Sequence, residues 1–202
     1  MKRVGLFGGT FNPPHLAHLR LATLAAEQCA LDEIIIMPTF LPPHKQATQL
    51  LSGEERMELC RRTFTSSVFS FCDFELKKGG KSYTVETLRH LKETNPGDEL
   101  FLIIGSDMLL SFDRWYCWQE ILQLCRLIVL SREDEITQGE LSAFAENVLQ
   151  LDSDAYDVLN CAPQTLSSTM IREKLQRGED VSSYLTPKAY QRIIEKGYYR
   201  WT

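Results

Sequence analysis

The stretch VGLFGGTFNPPHLAHLRLA, Val4 to Ala22, decides how this chain is read. A short apolar run ends in Gly8-Gly9-Thr10, prolines follow at 13 and 14, and an apolar-periodic segment carrying His15 and His18 begins. The order is strand, tight turn, helix. In open α/β sheets this first turn is where a phosphate meets a helix N-terminus. Glycine lets backbone N–H groups approach an anion closely, proline stiffens the turn, and residues three apart share one face of a helical turn. Two other readings stay open on these residues alone. A diglycine before a helix is common in α/β proteins, and HxxH is a possible metal pair, although metal-binding helices usually space histidines by four and need a third ligand.

Outward from this stretch, short aliphatic or β-branched runs recur at Arg3–Phe7, Glu33–Met37, Phe69–Glu75, Glu99–Ile104, Leu127–Leu130 and Asp157–Asn160. Segments with helical period lie between most of them: Leu16–Cys29, Gly53–Phe64, Val85–Thr94, Trp115–Leu124 and Glu140–Leu149, then Thr169–Arg177 and Pro187–Lys196. Ser52 with Glu55 predicts a capping box, Asn95-Pro96-Gly97 a stop, and Gly178 and Gly197 helix ends. Such alternation predicts an α/β fold: a Rossmann-like, doubly wound, mostly parallel sheet with helices on both faces. With 202 residues and no linker or repeat, a single domain over 1–202 is expected, with a C-terminal helical part from about residue 167.

Composition narrows the class. No apolar run approaches the ~18 residues of a membrane span, and Gly8-Gly9 interrupt any signal-like h-region after Lys2 and Arg3. A net charge of −5 argues against a binder of nucleic-acid backbone, so an anion site must be local. Without such an h-region a cytoplasmic location is expected, and the six cysteines, with no CxxC pair and no zinc-like spacing, read as buried reduced thiols. The oligomeric state stays open, a homo-oligomer included.

A second motif, APQTLSSTMIREKLQRG, runs from Ala162 to Gly178. Ser167, Ser168 and Thr169 before a helical pattern make an N-cap cluster, and a helix start offers free N–H groups with a partial positive charge. Arg172 lies about one turn further on, where its fork of donors can clamp phosphate oxygens. In isolation the same residues read equally as an ordinary capped helix with a solvated arginine.

Together the two motifs resemble those of the nucleotidyltransferase superfamily. GGTFNPPHLAH is similar to its GxFxPxHxGH signature, with Asn12 where an Asp is common and Ala17 where Gly is usual, and LSSTMIR is similar to its ISSTxIR signature. The resemblance implies that Gly8, Gly9, Thr10, Phe11, His15, His18, Ser167, Ser168, Thr169 and Arg172 bind ATP. It implies that His15, His18 and Arg172 serve catalysis, with Mg²⁺ carried by the ATP phosphates and no metal ligand on the protein.

Three further segments resemble the nicotinate mononucleotide adenylyltransferase branch: FLPPHK (Phe40–Lys45), KSYTVETL (Lys81–Leu88, with Glu86 for the branch's Asp) and IIGSDMLLSFDRWYCW (Ile103–Trp118). The ending YLTPKAYQRIIEKGYY, Tyr184–Tyr199, is similar to its C-terminal helix. This branch implies acceptor-binding roles for His44, Lys45, Tyr83, Thr84, Asp107, Trp115 and Tyr116. The expected reaction moves AMP from ATP to nicotinate mononucleotide, giving deamido-NAD and pyrophosphate in NAD biosynthesis. A nicotinamide mononucleotide or phosphopantetheine acceptor, a non-catalytic nucleotide binder and a metal hydrolase remain as alternatives.

Overall fold

The computed structural model of the chain describes residues 1–40, 50–132, 136–161 and 166–200. Strands β1 (Arg3–Gly9), β2 (Glu33–Pro38), β3 (Phe69–Phe71), β4 (Glu99–Gly105), β5 (Arg126–Arg132) and β6 (Tyr156–Cys161) form one sheet in the order β3-β2-β1-β4-β5-β6. This is the order of a doubly wound dinucleotide-type fold, reversing direction at β1. The ladders β1–β4, β4–β5 and β5–β6 are parallel, with Val4 opposite Leu100, Ile104 opposite Val129 and Leu130 opposite Leu159. Parallel strands covered on both faces read as unbroken apolar runs, which explains ELFLIIG in β4.

The helices are α1 (Leu16–Gln28), α2 (Gly53–Thr63), α3 (Phe74–Lys78), α4 (Thr84–Thr94), α5 (Ser106–Leu109), α6 (Trp118–Leu124), α7 (Gln138–Asn147), α8 (Ser168–Gln176) and α9 (Pro187–Lys196). Ser52 and Glu55 form the expected capping box, and Gly197 closes α9 with a φ of 63°. Several boundaries differ from expectation: β1 runs on past Phe7 to Gly9, so Gly8 and Gly9 lie in the strand, and α7 starts at Gln138 and ends at Asn147, two residues earlier at each end. The strand expected over Phe69–Glu75 stops at Phe71, and α3 follows, ended by Gly79 and Gly80 in the left-handed region. The helix expected from Trp115 starts at Trp118, because a 3₁₀ turn occupies Phe112–Arg114 and Cys117 takes a φ of 53°, which no right-handed helix accepts.

Two compact units make up the chain. The first (Met1–Phe7, Thr23–Ile35, Tyr83–Pro163) contains the β4–β5–β6 ladder and a core that includes Val4, Leu102, Ile104, Leu127 and Val129. Within it a bidentate pair from Arg89 to Glu120 ties α4 to α6. The second (Gly8–Ala22, Ile36–Ser82, Gln164–Thr202) packs Leu59 of α2, Ile171 and Leu175 of α8, Ile193 of α9 and Tyr199 into one cluster. Glu58 of α2 accepts from Arg62 at 2.9 Å and from Arg192 of α9 at 2.8 Å. All six cysteines are free thiols. Among the described residues no helix is long and apolar enough to cross a membrane.

Candidate active site

The second unit holds the opening motif. β1 ends at Gly9, whose carbonyl accepts from Thr39 N–H at 2.9 Å. The two glycines do different work. A Cβ on Gly8 would meet only the Met37 carbonyl, at 4.0 Å, whereas a Cβ on Gly9 would press on the Phe11 ring at 3.1 Å. Phe11 is buried with a φ of 48°, unusual for a bulky side chain, and its ring stands edge-on to His18 at 5.2 Å and to Phe64 at 5.9 Å. Gly8 therefore leaves open space at the end of β1, and Gly9 makes room for the aromatic that backs His18.

The Asn12–Pro13 peptide is cis. His15 occupies the cap position of α1, since its carbonyl accepts from Leu19 N–H at 3.2 Å. His18, three residues on, accepts the His15 backbone N–H on Nδ1 at 3.3 Å, and the two rings lie 3.7 Å apart at 31°. This bond uses the Nδ1 lone pair, so a neutral His18 carries its proton on Nε2 and presents that nitrogen as a donor. His15 is 4% exposed and His18 half-buried.

The second motif meets the first within the same unit. Ser167 caps α8 by accepting from Met170 N–H at 3.1 Å, and Ser168 Oγ donates to the Pro13 carbonyl at 2.8 Å. Arg172 donates from Nη1 to the Asn12 carbonyl at 2.8 Å and from Nη2 to Thr169 Oγ1 at 3.2 Å. Its Nε is buried with no hydrogen-bond partner among the described residues. The hydroxyl cluster thus serves the protein itself, as cap, tether and acceptor. What α8 offers an anion is its N-terminal backbone and the remaining guanidinium N–H groups.

Some residues that build this site were not among the binding or catalytic residues expected from the sequence. Asn12 Oδ1 accepts from Tyr199 Oη at 3.0 Å and from Leu51 N–H at 3.3 Å. Burial raises the Tyr199 phenol well above its ordinary value, only partly opposed by the Arg172 and Arg56 charges, so it remains a donor. Arg56, 1% exposed, donates to the carbonyls of Leu51, Thr10 and Phe40. An arginine inside an otherwise ordinary capped helix gives no sequence sign of such burial. Gly105 is legible only in structure, since a Cβ there would strike Asp107 Oδ1 at 2.6 Å.

The first unit holds Tyr83, Thr84, Asp107, Trp115 and Tyr116. Thr84 begins α4, whose cap residue Tyr83 makes no side-chain capping bond, and the Tyr83 and Tyr116 rings tilt together at 4.9 Å. Tyr116 is 58% exposed. Asp107 is exposed in the first turn of α5, just beyond β4. Trp115 is half-buried and stacks at 5.0 Å and 29° on the fully buried Phe112, which supports one face of its ring. His44 and Lys45 lie outside the described residues.

The sheet order, the two glycines that end β1 and the paired motifs define a nucleotide-handling α/β protein. The chain belongs to the cytidylyltransferase-like family, whose model matches residues 6–174. A relative from Shouchella clausii (strain KSM-K16), named "Probable nicotinate-nucleotide adenylyltransferase", is 36% identical over 200 residues, covering 98% of this chain and 97% of its own. One of the same name from Clostridium tetani (strain Massachusetts / E88) is 34% identical, covering 99% of this chain and 100% of its own. The fold matches that of Plasmodium falciparum nicotinic acid mononucleotide adenylyltransferase complexed with NaAD, at a TM-score of 0.80, with 19% identity over 100% of this chain and 99% of that one.

Proposed function

We propose that this chain is a nicotinate-nucleotide adenylyltransferase that joins ATP and nicotinate mononucleotide to give deamido-NAD and pyrophosphate, a step of NAD biosynthesis. The observation that carries the reading is the joining of the two motifs, with Arg172 bonded to the Asn12 carbonyl at 2.8 Å and Ser168 to the Pro13 carbonyl at 2.8 Å. The names of the relatives, matched over nearly the whole chain, support the choice of acceptor.

The attacking group is the acceptor's own phosphate, mostly dianionic at pH 7 because its second pKa is ~6. No strong general base is required. Attack on the ATP α-phosphorus proceeds in line, and the enzyme contributes positioning and charge neutralisation. His18 Nε2–H and His15 meet the charge growing on the α-phosphoryl oxygens, and Gly8 to Phe11 receive the phosphates. Arg172 and the start of α8 hold the β,γ end. On the acceptor side, the helix start at Thr84 suits the pyridine carboxylate, Asp107 the ribose hydroxyls, and Trp115 with Tyr83 and Tyr116 the flat ring. His44 and Lys45 are assigned to the mononucleotide phosphate.

Among the described residues no group of His, Cys, Asp and Glu side chains is placed to hold a metal ion. Mg²⁺ fits as an ion delivered on the triphosphate, coordinated by phosphate oxygens and water, where it neutralises charge on the leaving pyrophosphate. A single nucleotidyltransferase domain over residues 1–202 and a cytoplasmic location complete the reading. The free thiols agree with a reducing compartment.

The test is pyrophosphate release from Mg²⁺-ATP with nicotinate mononucleotide, nicotinamide mononucleotide or phosphopantetheine supplied separately. Strong preference for the nicotinate acceptor is expected. Release with none of the three refutes the proposal.

A further inference from the structure

Arg56 has no part in the motifs that define the family resemblance, yet it is the largest fully buried side chain near the opening turn. Its fork is spent on backbone carbonyls: Nη1 donates to Thr10 at 2.8 Å, Nε to Leu51 at 3.1 Å and Nη2 to Phe40 at 3.3 Å. Among the described residues no carboxylate pairs with it. A buried cation satisfied only by neutral dipoles is costly unless something else makes use of the charge.

The placement of those carbonyls shows what the charge can do. Thr10 is the first residue after β1, and its carbonyl shares a peptide unit with the N–H of Phe11. A charge-assisted bond to that carbonyl polarises the peptide and strengthens its N–H as a donor. Phe40 follows β2, and Leu51 precedes α2 and also donates its N–H to Asn12 Oδ1 at 3.3 Å. One planar group therefore holds the opening turn against two other backbone segments of the same unit. Only a guanidinium has donors in a rigid fork wide enough to span them.

We infer that Arg56 is a positioning residue for the reaction, which sets the geometry of the Thr10–Phe11 turn and lends that turn positive charge for a bound polyphosphate. The inference rests on the adenylyltransferase reading. It predicts that charge and geometry separate in two variants. Arg56→Lys keeps the charge but has one nitrogen, which cannot span the three carbonyls at Thr10, Phe40 and Leu51. Arg56→Met keeps volume and loses both.

Calorimetric titrations with Mg²⁺-ATP and with inorganic tripolyphosphate are run on the full chain and both variants, alongside thermal melts and steady-state kcat and KM. Arg56→Lys is expected to bind tripolyphosphate close to the wild-type level while its kcat falls about tenfold or more. Folded Arg56→Met is expected to lose about tenfold or more in tripolyphosphate affinity. Where Arg56→Met does not fold, Arg56→Lys decides alone. Wild-type kcat and KM in Arg56→Lys, or wild-type tripolyphosphate binding in folded Arg56→Met, overturns the inference. A wild-type protein that binds neither probe overturns the adenylyltransferase reading, and this inference with it.

Discussion

Tyr199 Oη donates to Asn12 Oδ1 at 3.0 Å, across a separation of 187 residues. Asn12 stands between Phe11 and the cis-linked Pro13, and its own carbonyl receives Arg172 at 2.8 Å. One residue thus links the turn after β1, the arginine of α8 and the segment that follows α9. Removing the hydroxyl with Tyr199→Phe leaves Asn12 Oδ1 with the Leu51 N–H at 3.3 Å. The expected cost is about 1 kcal/mol of stability, in the range of a typical buried hydrogen bond. A fall in kcat larger than the stability loss explains is also expected, because the turn loses a restraint. Urea melts and turnover of the purified variant check both.

His18→Ala removes the donor assigned to the reacting phosphate. A preorganised donor of this kind is worth roughly 2.7–4 kcal/mol of barrier, so kcat is expected to fall by about 10²–10³-fold. The fold is expected to survive, because His18 is only half-buried. Unchanged turnover would remove His18 from the assignment.

The glycine pair gives a contrast within one turn. Gly9→Ala drives a methyl group against the Phe11 ring at 3.1 Å, inside a packed cluster with Phe64. Overpacking of that kind costs about 1–3 kcal/mol and appears as a lower Tm. Gly8→Ala meets nothing nearer than a carbonyl at 4.0 Å, so its Tm is expected to stay near wild type. Its KM for ATP is expected to rise instead, since the methyl group occupies space assigned to phosphate. Equal melting temperatures for the two variants would contradict the division of roles.

Glu58 supplies a pH dependence with a definite sign. Burial pushes its carboxyl up, but the hydrogen bonds and charges of Arg62 and Arg192 outweigh this and hold it below the ordinary 4.5. The unfolded chain therefore takes up the proton first as pH falls. The contribution is fully present above pH 4.5 and is lost as pH drops through the lower folded value. Because the side chains are about one-third exposed, each pair is worth under about 1 kcal/mol. Glu58→Gln is expected to lower stability at pH 7 and to flatten the loss below pH 5, which melts over pH 3–7 would show.

Residue patterning alone determined the alternation of strand and helix. Runs such as ELFLIIG are readable because a strand buried on both faces must be apolar throughout, and Ser52 with Glu55 marks a helix start because a cap is a local bond. The cap Ser167 was legible for the same reason: a cap is decided by a few adjacent residues. β3 and the start of α6 were misjudged where local pattern met a special backbone, at Gly79 and Gly80 after Phe74–Lys78 and at Cys117 with its φ of 53°.

Tertiary structure decided the rest. That Asn12 joins Tyr199 to Arg172, and that Arg56 is buried against the Thr10 and Phe40 carbonyls, are contacts between residues far apart in the chain. No periodicity or spacing encodes them. Side-chain burial and hydrogen-bond partners depend on which segments pack together, and for Arg56 that packing turned an ordinary helix residue into a buried donor to the Thr10 carbonyl.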